Sequence, residues 1–162
     1  MRTSTTRLAA GFLGVLIGVV QIVGFAQSNN PQVGTWKANI AKSKFTAGPA
    51  LTSGTSKIEA AGAGVKFTVD NMSADGSKNR WEFTANYDGK DNPVTGNSPY
   101  GDVVALTRVD ASTTRMVNKK DGKVTATITS VVSSDGKTRT VTIKGTNGLG
   151  KPVDLVMLYE RQ

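Results

Sequence analysis

The side chains best suited to chemistry are scarce in this chain. Its 162 residues include no histidine and no cysteine, which removes the commonest general bases, the thiol nucleophile and the usual zinc ligands. A Ser-His-Asp relay is excluded outright. Carboxylates remain. Asp88 with Asp91, and Asp70 with Asp75, flank turns at a loose oxygen-ligand spacing of the kind calcium uses, but Lys90 and Lys78 stand beside them. Turn chemistry explains these aspartates better. No glycine-rich loop leads into a helical pattern, so no phosphate cradle is expected. The chain is therefore expected to be no enzyme, with no catalytic residue, metal or cofactor. An enzyme built from carboxylates and tyrosine alone would need a carboxylate inside a cavity, beside Tyr87 or Tyr159.

The elements that must position any site are punctuated by four Asp-Gly pairs: Asp75-Gly76, Asp88-Gly89, Asp121-Gly122 and Asp135-Gly136. Each lies between runs rich in Thr, Val, Ile and aromatics, and each is expected to tip a hairpin as a type I′ turn. Strands are expected at Val33 to Ile40, Ser56 to Ala60, Val65 to Asn71, Lys78 to Tyr87, Asp102 to Val109, Thr113 to Lys119, Lys123 to Ser133, Thr138 to Gly145 and Pro152 to Arg161. Ala41 to Phe45 is expected as one helical turn and Ala50 to Gly54 as loop. Asp91 to Gly101 carries Pro93, Gly96, Pro99 and Gly101, so it is expected to be mostly loop with at most a short edge strand. With no helical crossover between strands, the fold class is all-β. An antiparallel up-and-down meander of this length hides its edges by closing into a barrel, here of eight to ten strands. A two-sheet sandwich is the alternative, disfavoured by the many tight turns.

Alternation assigns the faces. Trp81, Phe83, Ala85 and Tyr87 share one side of their strand, as do Val153, Leu155, Met157 and Tyr159. Phe67, Trp81, Phe83, Tyr87, Met157 and Tyr159 are the candidate wall of a ligand cavity, or else the filling of a packed core. A carrier would need an internal space of roughly 300 Å3 or more. Asn92, Asn97, Tyr100 and Asp102, in the irregular stretch before residue 103, are the candidate rim; a stiff connection is the plainer account.

Residues 1–26 have the pattern of an export signal. Arg2 and Arg7 form a basic start, Leu8 to Val20 an apolar run, and Gly24-Phe25-Ala26 a cleavage site, leaving Gln27 as the new N-terminus. An uncleaved anchor is the competing possibility. Gln27 to Gln32 is expected as a short linker and residues 33–162 as one barrel domain, periplasmic or secreted, with no stable membrane insertion after cleavage. Of 20 Lys and Arg, two precede the cleavage point, and the remaining 18 against 12 Asp and Glu leave a net charge of +6. These cations are scattered, so a solvated basic surface is expected and a nucleic-acid partner is not. The sequence does not set the oligomeric state.

Both ends of the barrel segment carry a likeness. Gly34-Thr35-Trp36-Lys37 opens its first strand and Leu158-Tyr159-Glu160-Arg161 closes its last. Gly-x-Trp at the first strand, followed by a meander of this length, resembles the calycins, the lipocalins and fatty-acid-binding proteins. The likeness extends to small exported bacterial lipocalin-like proteins of unassigned activity, and covers Trp81-Glu82-Phe83 and Tyr87-Asp88-Gly89-Lys90 between the ends. The resemblance implies that Trp36 plugs the closed end of the barrel under a cationic side chain, with Arg161, Arg139 or Arg108 as partner. It also implies carriage of a small hydrophobic molecule, without catalysis. An envelope-surface structural or protein-interaction module with a filled barrel is the alternative. Two features depart from fatty-acid-binding proteins. Their Arg-x-Tyr on the last strand is replaced by Met157-Leu158-Tyr159, and Ala41 to Thr55 is too short for their two-helix lid. A lipid carboxylate clamp of that kind is therefore not expected, which leaves an apolar or neutral ligand, or none.

Overall fold

The computed structural model describes residues 30–162, so the expected signal peptide and the start of the expected linker lie outside the described residues. Eleven strands follow one another: β1 (Gly34–Ala47), β2 (Leu51–Ala61), β3 (Gly64–Ser73), β4 (Lys78–Asn86), β5 (Asp88–Pro93), β6 (Thr95–Gly96), β7 (Val103–Arg108), β8 (Thr113–Lys120), β9 (Lys123–Val132), β10 (Thr138–Thr146) and β11 (Pro152–Arg161). There is no helix among the described residues. All strands join one sheet in the order β5-β7-β8-β9-β10-β11-β1-β2-β3-β4-β6. β1 pairs antiparallel with β2 on one side and with β11 on the other, so the first and last strands meet. The result is the expected all-β meander, an antiparallel up-and-down sheet curled into a nearly closed barrel.

β5 and β6 are two parts of one return strand. The first pairs with β7, Pro93 opposite Val103, and the second with β4, Gly96 opposite Trp81. The segment thus crosses from one edge of the sheet to the other and bridges the gap; counted once, it gives ten positions around the barrel. Asp91 to Gly101 therefore holds more strand than the expected short edge strand: the stretches that end at Pro93 and Gly96 pair because the edges on both sides offer unpaired N–H and C=O groups, and Val94 and residues 97–101 are not strand. Ala50 to Gly54 is likewise strand from Leu51 onward, and Ala41 to Phe45 is part of β1 rather than a helical turn. β1 takes up its surplus residues in a bulge: it advances five residues from Asn39 to Lys44 while β11 passes two, from Leu158 to Val156. Asn39 Oδ1 accepts the Lys42 N–H at 3.1 Å, and the Asn39 carbonyl accepts the Ser43 hydroxyl at 2.7 Å. Ser43 Oγ then accepts the Leu158 N–H at 3.1 Å, which ties the bulge back to β11.

The four Asp-Gly pairs do three different jobs. Asp121-Gly122 is the type I′ hairpin, both residues having positive φ (49° and 74°). At Asp75-Gly76 and Asp135-Gly136 positive φ is confined to the glycine, and the glycine N–H donates back to Ser73 and Ser133. These are turns with a left-handed glycine that begins the return strand as a bulge. Asp88-Gly89 tips no paired hairpin. It marks the corner where the chain leaves β4 and takes β7 as its partner, with a register break between Asp88 and Asp91.

Substitution tests one turn glycine and one strand glycine, and acid tests the turn aspartates. Gly122→Ala adds a Cβ into open space but keeps a left-handed φ, and should cost about 1–2 kcal/mol in urea unfolding. Gly96→Ala, at φ 88°, also drives its Cβ into the Arg80 carbonyl oxygen, where β6 meets β4, and should cost about 1–3 kcal/mol more. Acid should weaken the fold. The Asp75 carboxyl lies below its ordinary 3.8 because it accepts the Ser77 hydroxyl and N–H; Asp135 is held down by the Ser133 hydroxyl and Asp110 by the Ser112 N–H. A lowered folded-state pKa stabilises above the unfolded value and is lost as pH falls through the folded one. The urea midpoint should therefore hold from about pH 7 to about pH 5 and fall below about pH 4. The double variant Asp75→Asn, Asp135→Asn should show a shallower acid limb.

Candidate functional site

One end of the barrel is sealed by the residues around Trp36, which is fully buried. Its Nε1–H donates to the Gln32 carbonyl at 2.9 Å. Gln32, expected to end a linker, is itself buried: its side-chain amide donates to the carbonyls of Ser112 (2.7 Å) and Ser130 (3.3 Å) and accepts from Ser130 Oγ (3.0 Å). Two guanidinium groups approach the Trp36 ring, the exposed Arg161 at 4.1 Å from its centroid and the buried Arg139 at 5.3 Å. Arg161 also donates to the carbonyls of Pro31, Val33 and Gly136, so one side chain ties the incoming segment and the β9–β10 turn to the seam. Arg108, the third candidate partner, sits instead over Tyr87 at 4.3 Å, and Tyr87 Oη accepts from Asn30 Nδ2 at 2.7 Å.

Inside, an apolar cavity of about 80 Å3 runs between Arg139 and Tyr100, walled by Phe67, Trp81, Met157 and Tyr159 among others. Phe83 backs this wall, stacked on Phe67 at 5.3 Å and on Trp81 at 6.1 Å, but does not line the cavity. Tyr87 lies outside it. The volume falls short of the roughly 300 Å3 expected of a carrier, so a molecule held here without moving the residues around it would be smaller than that expectation allowed.

The other end is crossed by the segment from Asn97 to Asp102. Asn97 N–H donates to the Arg80 carbonyl (2.7 Å), Gly148 N–H to the Pro99 carbonyl (2.8 Å) and Thr125 Oγ1–H to the Tyr100 carbonyl (2.5 Å), so the strap is pinned to three places on the wall. Tyr100 turns inward beneath it and lines the cavity; burial, then the nearby Tyr159, push its phenol well above the usual range. Asn97 and Asp102 stay outside, on an open groove that includes Lys120 and Leu149, with Asp102 held 2.8 Å from Lys120. Asn92 is not on the rim: it belongs to β5, opposite Val104, and donates to the Lys90 carbonyl.

Arg139, named from the resemblance only as a possible partner of Trp36, is more deeply set than residue spacing indicated. It is 1 % exposed, in phase with Val141 and Ile143 on β10, and directly opposite Tyr159 of β11. Its Nη2 donates to Ser56 Oγ, and its guanidinium carbon lies 4.7 Å from the Tyr159 ring centroid and 5.5 Å from that of Phe67. Burial lowers its pKa to about 10, which leaves it a cation at neutral pH. No Asp or Glu is among the buried residues of the described chain. Arg139 Nε and Trp81 Nε1 have no hydrogen-bond partner among the described residues. A search along the last strand for an arginine two residues from Tyr159 misses this pair, because the arginine arrives from the neighbouring strand. A cation in the apolar phase of an alternating strand was the available signal. The carboxylates singled out for calcium are engaged separately: Asp70 with Arg80, Asp75 with Ser77, Asp91 with Lys119, and Asp88 with the Lys90 backbone.

The chain matches no known protein-family description, and no curated protein matches it. What can be said of the site rests on its geometry.

Arg161→Ala removes three carbonyl contacts and the stack on Trp36, and should cost about 1–3 kcal/mol in chemical unfolding, discounted for the exposure of the side chain. Arg161→Lys should recover little, because an ammonium cannot serve three separated carbonyls from one planar fork.

Proposed function

We propose that this protein is a non-catalytic binder or carrier of a small, largely apolar molecule, held inside a calycin-like barrel in the periplasm or outside the cell. The observation that carries this is the interior itself: an apolar-walled cavity with buried polar atoms that lack partners among the described residues. A fold that only filled its barrel would gain from satisfying or replacing such groups, since each costs about 1–3 kcal/mol when left unmet. The calycin assignment is supported by Gly34-Thr35-Trp36 on the first strand, by Trp36 at the sealed end under Arg161, and by the pairing of first and last strands. The extracytoplasmic location is supported by the export pattern of residues 1–26.

The cavity size limits the ligand. At about 80 Å3 it holds on the order of six waters, taking ~10–15 Å3 for each. A larger molecule would have to displace Tyr100 and its strap. A second reading, a barrel acting as an interaction module through the outer groove, draws its support from the small volume, the pinned strap and the 85 % exposure of Leu149. Native mass spectrometry of the protein purified from its own host separates the two. A carrier should show a population with a discrete added mass that is lost on denaturation. A clean unliganded mass would count against carriage and put the interaction module ahead.

A further inference from the structure

Of the four Asp-Gly pairs, the folded chain guards three. We propose that the fourth, Asp121-Gly122, is a site of spontaneous modification: its aspartate converts through a cyclic imide to isoaspartate, and the change releases the strap that covers the cavity. The chemistry is internal to the pair and needs only water. The Gly122 nitrogen bonds to Asp121 Cγ, and one carboxyl oxygen leaves as water with the protons of the amide and the acid. Water then reopens the five-membered ring. Breaking the Cγ–N bond restores the aspartate. Breaking the bond between the Gly122 nitrogen and the main-chain carbonyl leaves the chain running through Cβ and Cγ, one methylene longer, with the old carbonyl now a carboxylate.

The reaction requires a free carboxyl and a free glycine nitrogen, and the four pairs differ in both. Asp75 Oδ1 accepts the Ser77 hydroxyl (2.6 Å) and N–H (2.9 Å), and the Gly76 N–H donates to the Ser73 carbonyl (3.0 Å). Asp135 Oδ1 accepts the Ser133 hydroxyl (2.6 Å) and the Lys137 N–H (3.0 Å), and the Gly136 N–H donates to the Ser133 carbonyl (2.9 Å). These bonds hold both carboxyls in the ionised form, which a nitrogen attacks least readily. Asp88 Oδ1 accepts the Lys90 N–H (3.1 Å), and Thr107 crowds Gly89. The Asp121 carboxyl accepts no hydrogen bond among the described residues; Lys120 Nζ stands 4.0 Å off, and the side chain is 83 % exposed. The Gly122 N–H has no acceptor among the described residues either. Asp121 is also the one non-glycine residue there with a positive φ, 49°. A left-handed aspartate is strained, which lowers the cost of the rotation that ring closure requires.

The consequence reaches the cavity because the strap hangs on this hairpin. The Asp102 N–H donates to the Lys119 carbonyl (3.1 Å), and the Asp102 carboxylate holds the Lys120 ammonium (2.8 Å). Thr125 of β9 donates to the Tyr100 carbonyl. Gly101 lies so close to β8 that a Cβ would run into the Lys119 carbonyl. Two residues span the turn from Lys120 to its partner Lys123. An added methylene in that span spoils the type I′ geometry and displaces Lys119 and Lys120. Tyr100, which lines the cavity beneath the strap, then loses its hold.

Ageing the purified protein for several weeks in neutral buffer tests both parts. Peptide mapping with electron-transfer fragmentation locates isoaspartate, and hydrogen exchange follows the strap. In the folded protein isoaspartate should accumulate at Asp121 at least fivefold faster than at Asp75, Asp88 or Asp135. In urea the four rates should converge, because glycine follows the aspartate in every pair. Molecules modified at Asp121 should exchange the Asp102 and Gly148 amides, which tie the strap, at least tenfold faster than fresh protein. Asp121→Gly suits a positive φ and lacks the carboxyl, so it should show neither change on ageing. Conversion at another pair as fast as at Asp121, or none at any, would overturn the site. Unchanged exchange in the modified molecules would overturn its link to the strap.

Discussion

The seam between the first and last strands is the constraint on which the rest of the barrel depends. An antiparallel sheet with two free edges exposes rows of unpaired N–H and C=O groups, and joining β1 to β11 removes that liability along most of their length. Trp36 and Arg161 are direct partners across this seam. A slip of one residue would turn the Trp36 ring from the interior to solvent, so the stack of Arg161 on the indole also fixes the register. Because Arg161 bonds the carbonyls of Pro31, Val33 and Gly136 as well, the same residue closes the floor and holds the incoming chain.

Closure is also what gives Arg139 its character. On an open sheet its guanidinium would be solvated and unremarked. Inside the barrel it loses water, keeps its proton and is surrounded by Trp36, Phe67 and Tyr159. Each aromatic face offers about 0.5–2 kcal/mol, whereas leaving a cation without a counter-ion in a dry interior costs more than such contacts restore. The imbalance sits next to empty space rather than in packed hydrocarbon. That conjunction separates this interior from an ordinary core, in which a methionine or leucine at position 139 would serve better.

Much of the fold was legible because strand and turn are local properties. Alternation at Lys78 to Tyr87 and Pro152 to Arg161 placed the inward faces of β4 and β11, and Phe67, Trp81, Met157 and Tyr159 do line the cavity. The errors lay where local preference met a tertiary demand. Glycine and proline between residues 91 and 101 signal loop, yet two sheet edges drew the first half into pairing. Ala41 to Phe45 has a passable helical composition, but β1 had to reach β11 and absorbed its surplus in a bulge. Tyr87 has the right phase for the wall but stands one residue past the end of β4, under Arg108 and bonded to Asn30.

By itself the sequence determined the all-β meander, since period-two patterning and Asp-Gly turns act over a few residues, and it removed histidine and cysteine chemistry by composition. Only the tertiary structure decided what those strands enclose. Ser56, Trp81, Arg139 and Tyr159 come from four strands spread over more than a hundred residues of chain, and no local pattern records that they meet. Their meeting depends on sheet order and register, set by the closing of β1 on β11, and that closure turns an arginine in an apolar phase into a buried, unanswered charge.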